Sequence, residues 1–200
     1  MSRKIITISR EFGSGGRYIG KQLAEMLGIS FYDKDIILKT AEETGLSKKF
    51  IEQQGEHSPL KNMFAYAFVG RDTTGASMDD YVFNAQRKII LELAEREDCV
   101  IVGRCADVIL KDMEGCVNVF IHGEKQEKTE RIKKLYGKSE EEAVKLMKEM
   151  DKKRAINYKY NTDQEWGRAK NYTMCLNSSA LGYEKCVEMI ASLYEKGKLI

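Results

Sequence analysis

The sequence has no long apolar run and no large excess of charge of either sign. Its 33 basic and 31 acidic residues give a formal net charge of +2, so no strong basic field points to DNA or RNA as a partner. No apolar run is long enough to cross a bilayer, and residues 1–8 lack the apolar core and cleavage site of a signal peptide. These absences predict a soluble, cytoplasmic protein with no membrane partner.

Histidine, proline and paired cysteines are also scarce. The two histidines, His57 and His122, are far apart and show no metal-ligand spacing, so we predict no zinc site built by the protein. The five cysteines are odd in number and form no C-x-x-C pair, which favours buried free thiols in a reducing compartment over disulfides. The single proline marks a loop at 57–59, and glycines mark others at 45–47 and 70–75.

The pattern over residues 5–27 predicts a β-strand, a glycine loop and an amphipathic helix in direct succession. The first part is a β-branched apolar run, which is typical of a strand buried on both faces of a parallel sheet. Apolar residues at helical spacing then predict a helix that begins near Arg17, directly after Gly13, Gly15 and Gly16. Such a loop offers unpaired backbone amides and the positive end of a helix dipole to an anion, so we expect it to bind phosphate.

The glycine spacing fits two phosphate-binding motifs, each imperfectly. The dinucleotide fingerprint G-x-G-x-x-G needs glycine or alanine where the chain has Tyr18, although Asp33 lies about where the ribose-binding acid belongs. The mononucleotide P-loop, G-x-x-x-x-G-K-[ST], would place its first glycine at Arg10 and its lysine at Gly16. A third interpretation also stays open, in which the glycines serve only a tight strand-to-helix turn.

Further motifs follow the loop along most of the chain. They are L-G-I-S-F-Y-D-K at 27–34, Q-R at 86–87, V-I-V-G-R at 100–104, V-N-V-F-I at 117–121, a basic helical segment ending near 154, and C-L-N-S-S-A-L at 175–181. In this order they resemble the cytidylate kinases, most closely the cytidylate kinase-like subgroup, whose loop reads S-R-E-F-G-S-G-G-R as residues 9–17 do here. The resemblance runs almost end to end and implies one α/β domain with the P-loop kinase fold.

The periodicity predicts about five parallel strands flanked by helices. Strands are expected near 5–8, 29–32, 99–102, 117–121 and 172–176, and helices over 36–43, 79–96, 108–111, 124–135, 139–160 and 181–196. The resemblance divides the domain into a core of residues 1–33, 97–122 and 171–200, a helical acceptor-binding insertion over 34–96, and a helical lid over 123–170.

The resemblance also implies which residues form the site. The nucleotide-binding loop would consist of Gly13, Ser14, Gly15, Gly16, Arg17 and Tyr18. Asp33, Arg87 and Arg104 would bind the phosphate acceptor; Arg104 follows a strand, and its planar guanidinium matches two phosphate oxygens. Arg87 on a helix is equally compatible with a solvated surface position. The catalytic cations would be Arg131 and Arg154 of the lid together with Arg17 of the loop.

Two departures from the family pattern bear on activity. Gly16 and Arg17 stand where the P-loop lysine and its metal-binding serine belong. Either Arg17 or Arg10 could replace the lysine charge, and Ser9 or Asp33 could help to hold Mg²⁺.

The second departure lies after the third strand. Cys105 stands where the family's G-R-D motif has aspartate. Asp107, two residues later, could replace that aspartate or cap the following helix.

Together with the phosphate-binding loop, the resemblance implies ATP-dependent phosphoryl transfer to a nucleoside monophosphate or a similar small phosphate acceptor, with Mg²⁺ carried by the nucleotide. Phosphoryl transfer mainly requires positioning and charge stabilisation, which backbone amides and arginines can supply. The alternative is a non-catalytic nucleotide-binding or regulatory protein with a degenerate P-loop, and a third interpretation is an oxidoreductase that binds a dinucleotide. The expected partners are small-molecule nucleotides, while the acceptor and the oligomeric state do not follow from the sequence.

Overall fold

A parallel β-sheet forms the centre of the chain. The computed structural model describes residues 3–44 and 78–195. Within them five strands lie in the order β2-β3-β1-β4-β5, all parallel to their neighbours. The strands are β1 Ile5–Arg10, β2 Ser30–Tyr32, β3 Cys99–Val102, β4 Cys116–His122 and β5 Met174–Asn177. The predicted five-stranded α/β fold is therefore confirmed.

Helices connect the strands and cover both faces of the sheet. They are α1 Gly16–Leu27, α2 Lys34–Thr44, α3 Met78–Arg96, α4 Ala106–Ile109, α5 Lys125–Tyr136, α6 Glu140–Thr162, α7 Ser178–Leu181 and α8 Tyr183–Glu195. The start of α6 is fixed by a capping box, in which the Ser139 hydroxyl accepts from the Glu142 amide and the Glu142 carboxylate accepts from the Ser139 amide.

Among the boundaries that differ from those expected, three have a local backbone cause. β5 begins at Met174 rather than at residue 172, because a short 3₁₀ turn over Ala169–Asn171 precedes it. The last helix is interrupted at Gly182, whose φ of 77° and ψ of 162° are not helical. The short helix after β3 begins at residue 106 rather than 108, because the left-handed Cys105 already forms its N-terminal boundary. The loops expected at 45–47, 57–59 and 70–75 lie outside the described residues.

The core has two layers, one on each face of the sheet. Ile6 and Ile8 of β1 pack on one face with residues of α1 and α8, whereas Ile5 packs on the other with residues of α3 and α4. All three isoleucines are fully buried, and each such side chain stabilises the fold by roughly 1.5–3 kcal/mol. Burial on both faces explains why β1 opens with two consecutive isoleucines rather than with alternating apolar and polar residues.

The layered fold brings the loops after β1 and β3 to one edge of the sheet. In a parallel sheet all carboxyl ends lie at the same edge, so these loops become neighbours although they are far apart in sequence. Among the described helices, none is both long and apolar enough to span a bilayer.

Candidate active site

The glycine loop joins β1 to α1 at the carboxyl edge of the sheet. Gly13 and Gly15 adopt left-handed conformations, with φ values of 86° and 81°. A Cβ atom at Gly13 would lie 2.9 Å from the carbonyl oxygen of Lys128, and one at Gly15 would lie 2.5 Å from Cε1 of Tyr183. Glycine is therefore required at both positions for backbone conformation and for space.

Most amides of this loop have no hydrogen-bond partner within residues 3–44 and 78–195. The amide of Glu11 donates to the carbonyl of Ile121 at 2.9 Å, and the amide of Phe12 donates to Oδ1 of Asp151 at 2.6 Å. Ser14 donates its amide to the carbonyl of Glu11 at 3.4 Å. By contrast, no hydrogen bond joins the described part of the chain to the amides of Gly13, Gly15, Gly16, Arg17 and Tyr18. Five such donors at a helix N-terminus form an anion-binding surface.

The loop opens into a cleft of about 530 Å³, which we call the loop cleft. Its wall opposite the loop is formed by α5 and by Arg154 of α6. Its lining residues are Arg10, Glu11, Phe12, Gly13, Gly15, Gly16, Arg17, Tyr18, Lys21, Phe31, Arg131, Ile132, Leu135, Tyr136 and Arg154. Ser14 is not among them, because its buried hydroxyl donates to the carbonyls of Glu11 and Ile121 and holds the loop in shape.

Arg131 lies against two tyrosine rings at the edge of the loop cleft. Its guanidinium carbon is 4.9 Å from the ring centre of Tyr183 and 5.9 Å from that of Tyr18. Nη1 of Arg131 also donates to the Tyr183 hydroxyl at 2.9 Å. The flat guanidinium and the aromatic rings form a surface on which another planar group could stack. Sequence reasoning did not include Tyr183, because an aromatic residue at a helix start carries no distinctive signal.

A second, smaller cavity of about 60 Å³ adjoins the carboxyl ends of β1 and β3, and we call it the arginine pocket. Three of its described lining residues are arginines, and no described lining residue is acidic. The described lining residues are Ser9, Arg10, Gly103, Arg104, Cys105, Arg154, Asn157, Tyr158 and Trp166. Arg10 and Arg154 line both this pocket and the loop cleft. The two guanidinium groups therefore stand between the amide-rich loop and the arginine pocket.

The turn that carries Arg104 has an unusual backbone. Gly103, Arg104 and Cys105 are all left-handed, with φ values of 80°, 60° and 55°. A non-glycine residue in this region costs on the order of 1–3 kcal/mol, and such residues cluster at functional sites. The Arg10 guanidinium also packs against Gly103, so a Cβ atom there would displace it.

Cys105 does not replace the charge of the family's aspartate. Burial raises the pKa of the Cys105 thiol to about 12, so the side chain stays neutral at physiological pH.

Asp107 does not bring a carboxylate to either cavity, since it lines neither of them. The amides of Asp107 and Val108 at the start of α4 lower the pKa of this carboxyl group, as expected for an acid near a helix N-terminus. Oδ2 accepts a hydrogen bond from the Tyr158 hydroxyl at 2.7 Å, while Oδ1 is buried and has no partner among the described residues. Burial raises the pKa of Asp107, and the Tyr158 hydrogen bond only partly opposes this. The residue thus links α4 to α6 beneath the arginine pocket.

Asp33 forms an ion-pair cluster with two arginines beside the loop. Nε of Arg17 lies 2.6 Å from Oδ2 of Asp33, and Nη2 of Arg10 lies 4.0 Å from Oδ1. The Arg17 side chain is 57% exposed and lines the loop cleft. Both candidate replacements for the P-loop lysine are thus tied to one carboxylate, but only Arg10 reaches the arginine pocket as well.

Arg87 is exposed on α3 and lines neither of the two cavities.

Lys128, which was not among the residues expected from the sequence, is buried on α5, and its Nζ lies 2.6 Å from Oε2 of Glu11 in the loop. An acid within a phosphate loop is a signal that a cation lies nearby, but the many lysines of α5 and α6 gave no means of choosing one.

A metal ion would find few ligands here. No group of three or more histidine, cysteine, aspartate or glutamate side chains in residues 3–44 and 78–195 could hold an ion. Of the carboxylates at the loop, Asp33 is contacted by arginines at both oxygens, and Glu11 is paired with Lys128. Mg²⁺ keeps several waters and needs only one or two protein carboxylates when phosphates bind it, so these residues fit an ion that arrives with a nucleotide.

Comparison with known proteins identifies the family of this chain. Residues 5–180 match the cytidylate kinase-like family. The chain belongs to the cytidylate kinase-like family. The sequence resemblance is thereby confirmed. No protein among the curated sequences compared with it matches significantly.

Solved structures support the same fold for this cytidylate kinase-like protein. An uncharacterized protein from Eubacterium ventriosum is 28% identical, with a TM-score of 0.72, and the match covers 96% of this chain and 99% of that one. Shikimate kinase from Bacteroides thetaiotaomicron is 17% identical, with a TM-score of 0.54 and coverage of 96% and 98%. A gluconokinase from Sinorhizobium meliloti is 20% identical, with a TM-score of 0.53 and coverage of 97% and 93%. The last two, at such low identity, establish the fold alone.

Proposed function

We propose that this protein transfers a phosphoryl group from ATP to a small phosphate-bearing acceptor, with nucleoside monophosphates as the first class to test. The observation that carries the proposal is the position of Arg10 and Arg154, which line both the loop cleft and the arginine pocket. A donor phosphate chain on the loop amides and an acceptor anion in the pocket would meet at these two cations. Family membership supports a kinase, and the acceptor is our inference.

The donor would bind through the loop. The amides of Gly13 and Gly15 to Tyr18 face its phosphates without requiring any particular side chain. Mg²⁺ would arrive with the nucleotide and neutralise part of the phosphate charge. The base would lie at the Arg131 and Tyr183 surface, where stacking on a guanidinium and a ring is worth about 1–3 kcal/mol.

The acceptor would bind through the arginine pocket. Arg104, held by the strained turn, presents a planar fork to two oxygens of an anion. A volume of about 60 Å³ fits one phosphate-sized group, so the remainder of the acceptor would extend outside it. The three arginines that line this pocket favour a dianion over a neutral alcohol.

The chemical step needs little from the protein beyond geometry and charge. Negative charge on the transferring group would lie between Arg10 and Arg154. These two arginines would take the role that the P-loop lysine plays in other kinases. We expect the helices over 123–170 to act as the lid and residues 34–96 to contribute to the acceptor side, as predicted from the sequence. Arg87 in that insertion remains a candidate contact to the acceptor.

We place the reaction in the cytoplasm. All five cysteines are unpaired thiols, which agrees with a reducing compartment.

The alternative is a nucleotide-binding protein without turnover. It is favoured by one observation, namely that Asp33 pairs with both Arg10 and Arg17 and so reduces the charge that either offers to a phosphate. The two functions make different demands, because binding needs only the amides, whereas transfer also needs the cations at the junction to contact the transferring group.

A coupled assay separates these functions. Purified protein is mixed with ATP and Mg²⁺ and with each of CMP, dCMP, UMP, AMP and GMP, with shikimate and gluconate as non-phosphorylated comparisons. Turnover with a monophosphate that is lost in Arg104→Ala and kept in the exposed control Arg168→Ala supports the kinase. ATP binding without turnover supports the alternative, and absence of both overturns the proposal.

A further inference from the structure

Two side chains of α6, Asp151 and Arg154, lie one turn apart and form hydrogen bonds with the backbone of the glycine loop. Oδ1 of Asp151 accepts a hydrogen bond from the Phe12 amide at 2.6 Å. Nη1 of Arg154 donates to the Arg10 carbonyl at 3.0 Å, and its guanidinium carbon lies 5.4 Å from the centre of the Phe12 ring. The two side chains also face each other, with 3.8 Å between Arg154 Nη1 and Asp151 Oδ1.

The two partners have different access to the cavities. Asp151 lines neither the loop cleft nor the arginine pocket, whereas Arg154 lines both. Their side chains are only 21% and 17% exposed, so water screens their attraction less than it screens a surface pair. Asp151 is thus close enough to hold Arg154 but is not placed to touch a ligand.

We infer that Asp151 is a positioning residue for the proposed transfer, and the inference rests on that function. Through the Phe12 amide it anchors α6 to the loop, and through its charge it holds the Arg154 guanidinium at the junction of the two cavities. The Phe12 amide is consequently not part of the donor site, which leaves Gly13 and the amides from Gly15 to Tyr18 for phosphate.

Charges from three directions face the Asp151 carboxylate. Arg154 of α6 and Lys128 of α5 favour its ionised form, while Glu11 of the loop opposes it. Burial is the strongest influence and raises the pKa of Asp151, and the Phe12 amide partly offsets the rise. Since only the ionised form attracts Arg154, loss of a proton from Asp151 strengthens the positioning of the arginine.

Two substitutions separate the hydrogen bond from the charge. Asp151→Asn keeps an oxygen that can accept from the Phe12 amide but removes the charge opposite Arg154. Asp151→Ala removes both. Glu149→Gln is the matched control, because Glu149 lies on α6 two residues away, is exposed, and loses the same charge.

Steady-state kinetics test whether Asp151 acts through Arg154. We expect kcat to fall about 10- to 100-fold in Asp151→Asn, with KM for ATP within about twofold, since a misplaced catalytic group costs rate rather than ground-state binding. Combining Asp151→Asn with Arg154→Ala should slow the enzyme no further than Arg154→Ala alone. Additive losses would overturn the inference. So would tighter ATP binding in Asp151→Ala, which would mark Asp151 as an anion that competes with phosphate.

Nuclear magnetic resonance of the Arg154 side chain tests the inference without turnover. The Nε–Hε signal of Arg154 should shift in Asp151→Asn and stay in place in Glu149→Gln. An unchanged signal in Asp151→Asn contradicts the positioning role even if the enzyme is active. A shifted signal in a protein that turns over no acceptor shows that Asp151 holds the arginine and that the proposed function itself has failed.

Discussion

Substitution of Gly15 by alanine is the perturbation that most directly strains the phosphate loop. Gly15 has a φ of 81°, and a Cβ atom there would approach Cε1 and Cζ of Tyr183 to 2.5 and 2.8 Å. Gly28 at the end of α1 is the matched control. Its φ of 65° is also left-handed, but a Cβ atom there meets nothing within 4 Å.

The expected magnitudes follow from these two environments. Both alanine variants force an L residue into the left-handed region, which costs about 1–2 kcal/mol. Gly15→Ala must also displace the Tyr183 ring, and overpacking of this kind costs about 1–3 kcal/mol more. The Tyr183 ring in turn supports Arg131 at the edge of the loop cleft, so moving it disturbs the donor site as well.

Urea denaturation and calorimetric titration with Mg·ADP provide the measurements. Gly15→Ala should be about 1–3 kcal/mol less stable than Gly28→Ala, and its nucleotide affinity should fall about tenfold or more, as expected for losing one charge-assisted hydrogen bond. Gly28→Ala should bind like the parent protein. If Gly15→Ala proved as stable as the control and bound nucleotide normally, the loop geometry described above would be wrong.

Three further outcomes are expected. Burial raises the pKa of Asp107, so between about pH 4 and this raised pKa the native state binds a proton that the unfolded state has released. The stability of the wild-type protein should therefore fall relative to that of Asp107→Asn as pH rises through this range. Urea midpoints of the two proteins that run parallel from about pH 4 to 8 would contradict this. Lys128→Met should lower the free energy of unfolding by about 2–4 kcal/mol, since it leaves the Glu11 carboxylate without its cation, and adding Glu11→Gln should restore part of the loss in a double-mutant cycle. Arg104→Lys should raise the acceptor KM about tenfold while the KM for ATP stays unchanged, because lysine cannot form a bidentate contact, and an equal rise in both constants would count against an acceptor role.

The fold could be predicted because its signals are local. The apolar run that begins at Ile5 and the helical spacing in the next segment depend only on neighbouring residues, and both elements formed as expected. Boundaries set by single backbone conformations were missed. Gly182 broke a helix that its apolar periodicity would continue, and Cys105 ended a turn in a left-handed conformation that its residue type does not indicate.

The site could be predicted less completely because it depends on contacts across the chain. Loop glycines and Arg104 carry motif signals, and the structure brings both to the same edge of the sheet. The position of Arg10 between two cavities depends on Gly103, which lies 93 residues later, and no local pattern reveals that contact. Likewise, Asp151 reaches the Phe12 amide across 139 residues.

A crystal structure with Mg²⁺ and a non-hydrolysable ATP analogue tests the central claim most directly. The account predicts phosphate oxygens about 3 Å from the amides of Gly15 and Gly16, with the Arg154 guanidinium facing the terminal phosphate. A nucleotide bound elsewhere, or one whose phosphates leave those amides to solvent, would contradict it.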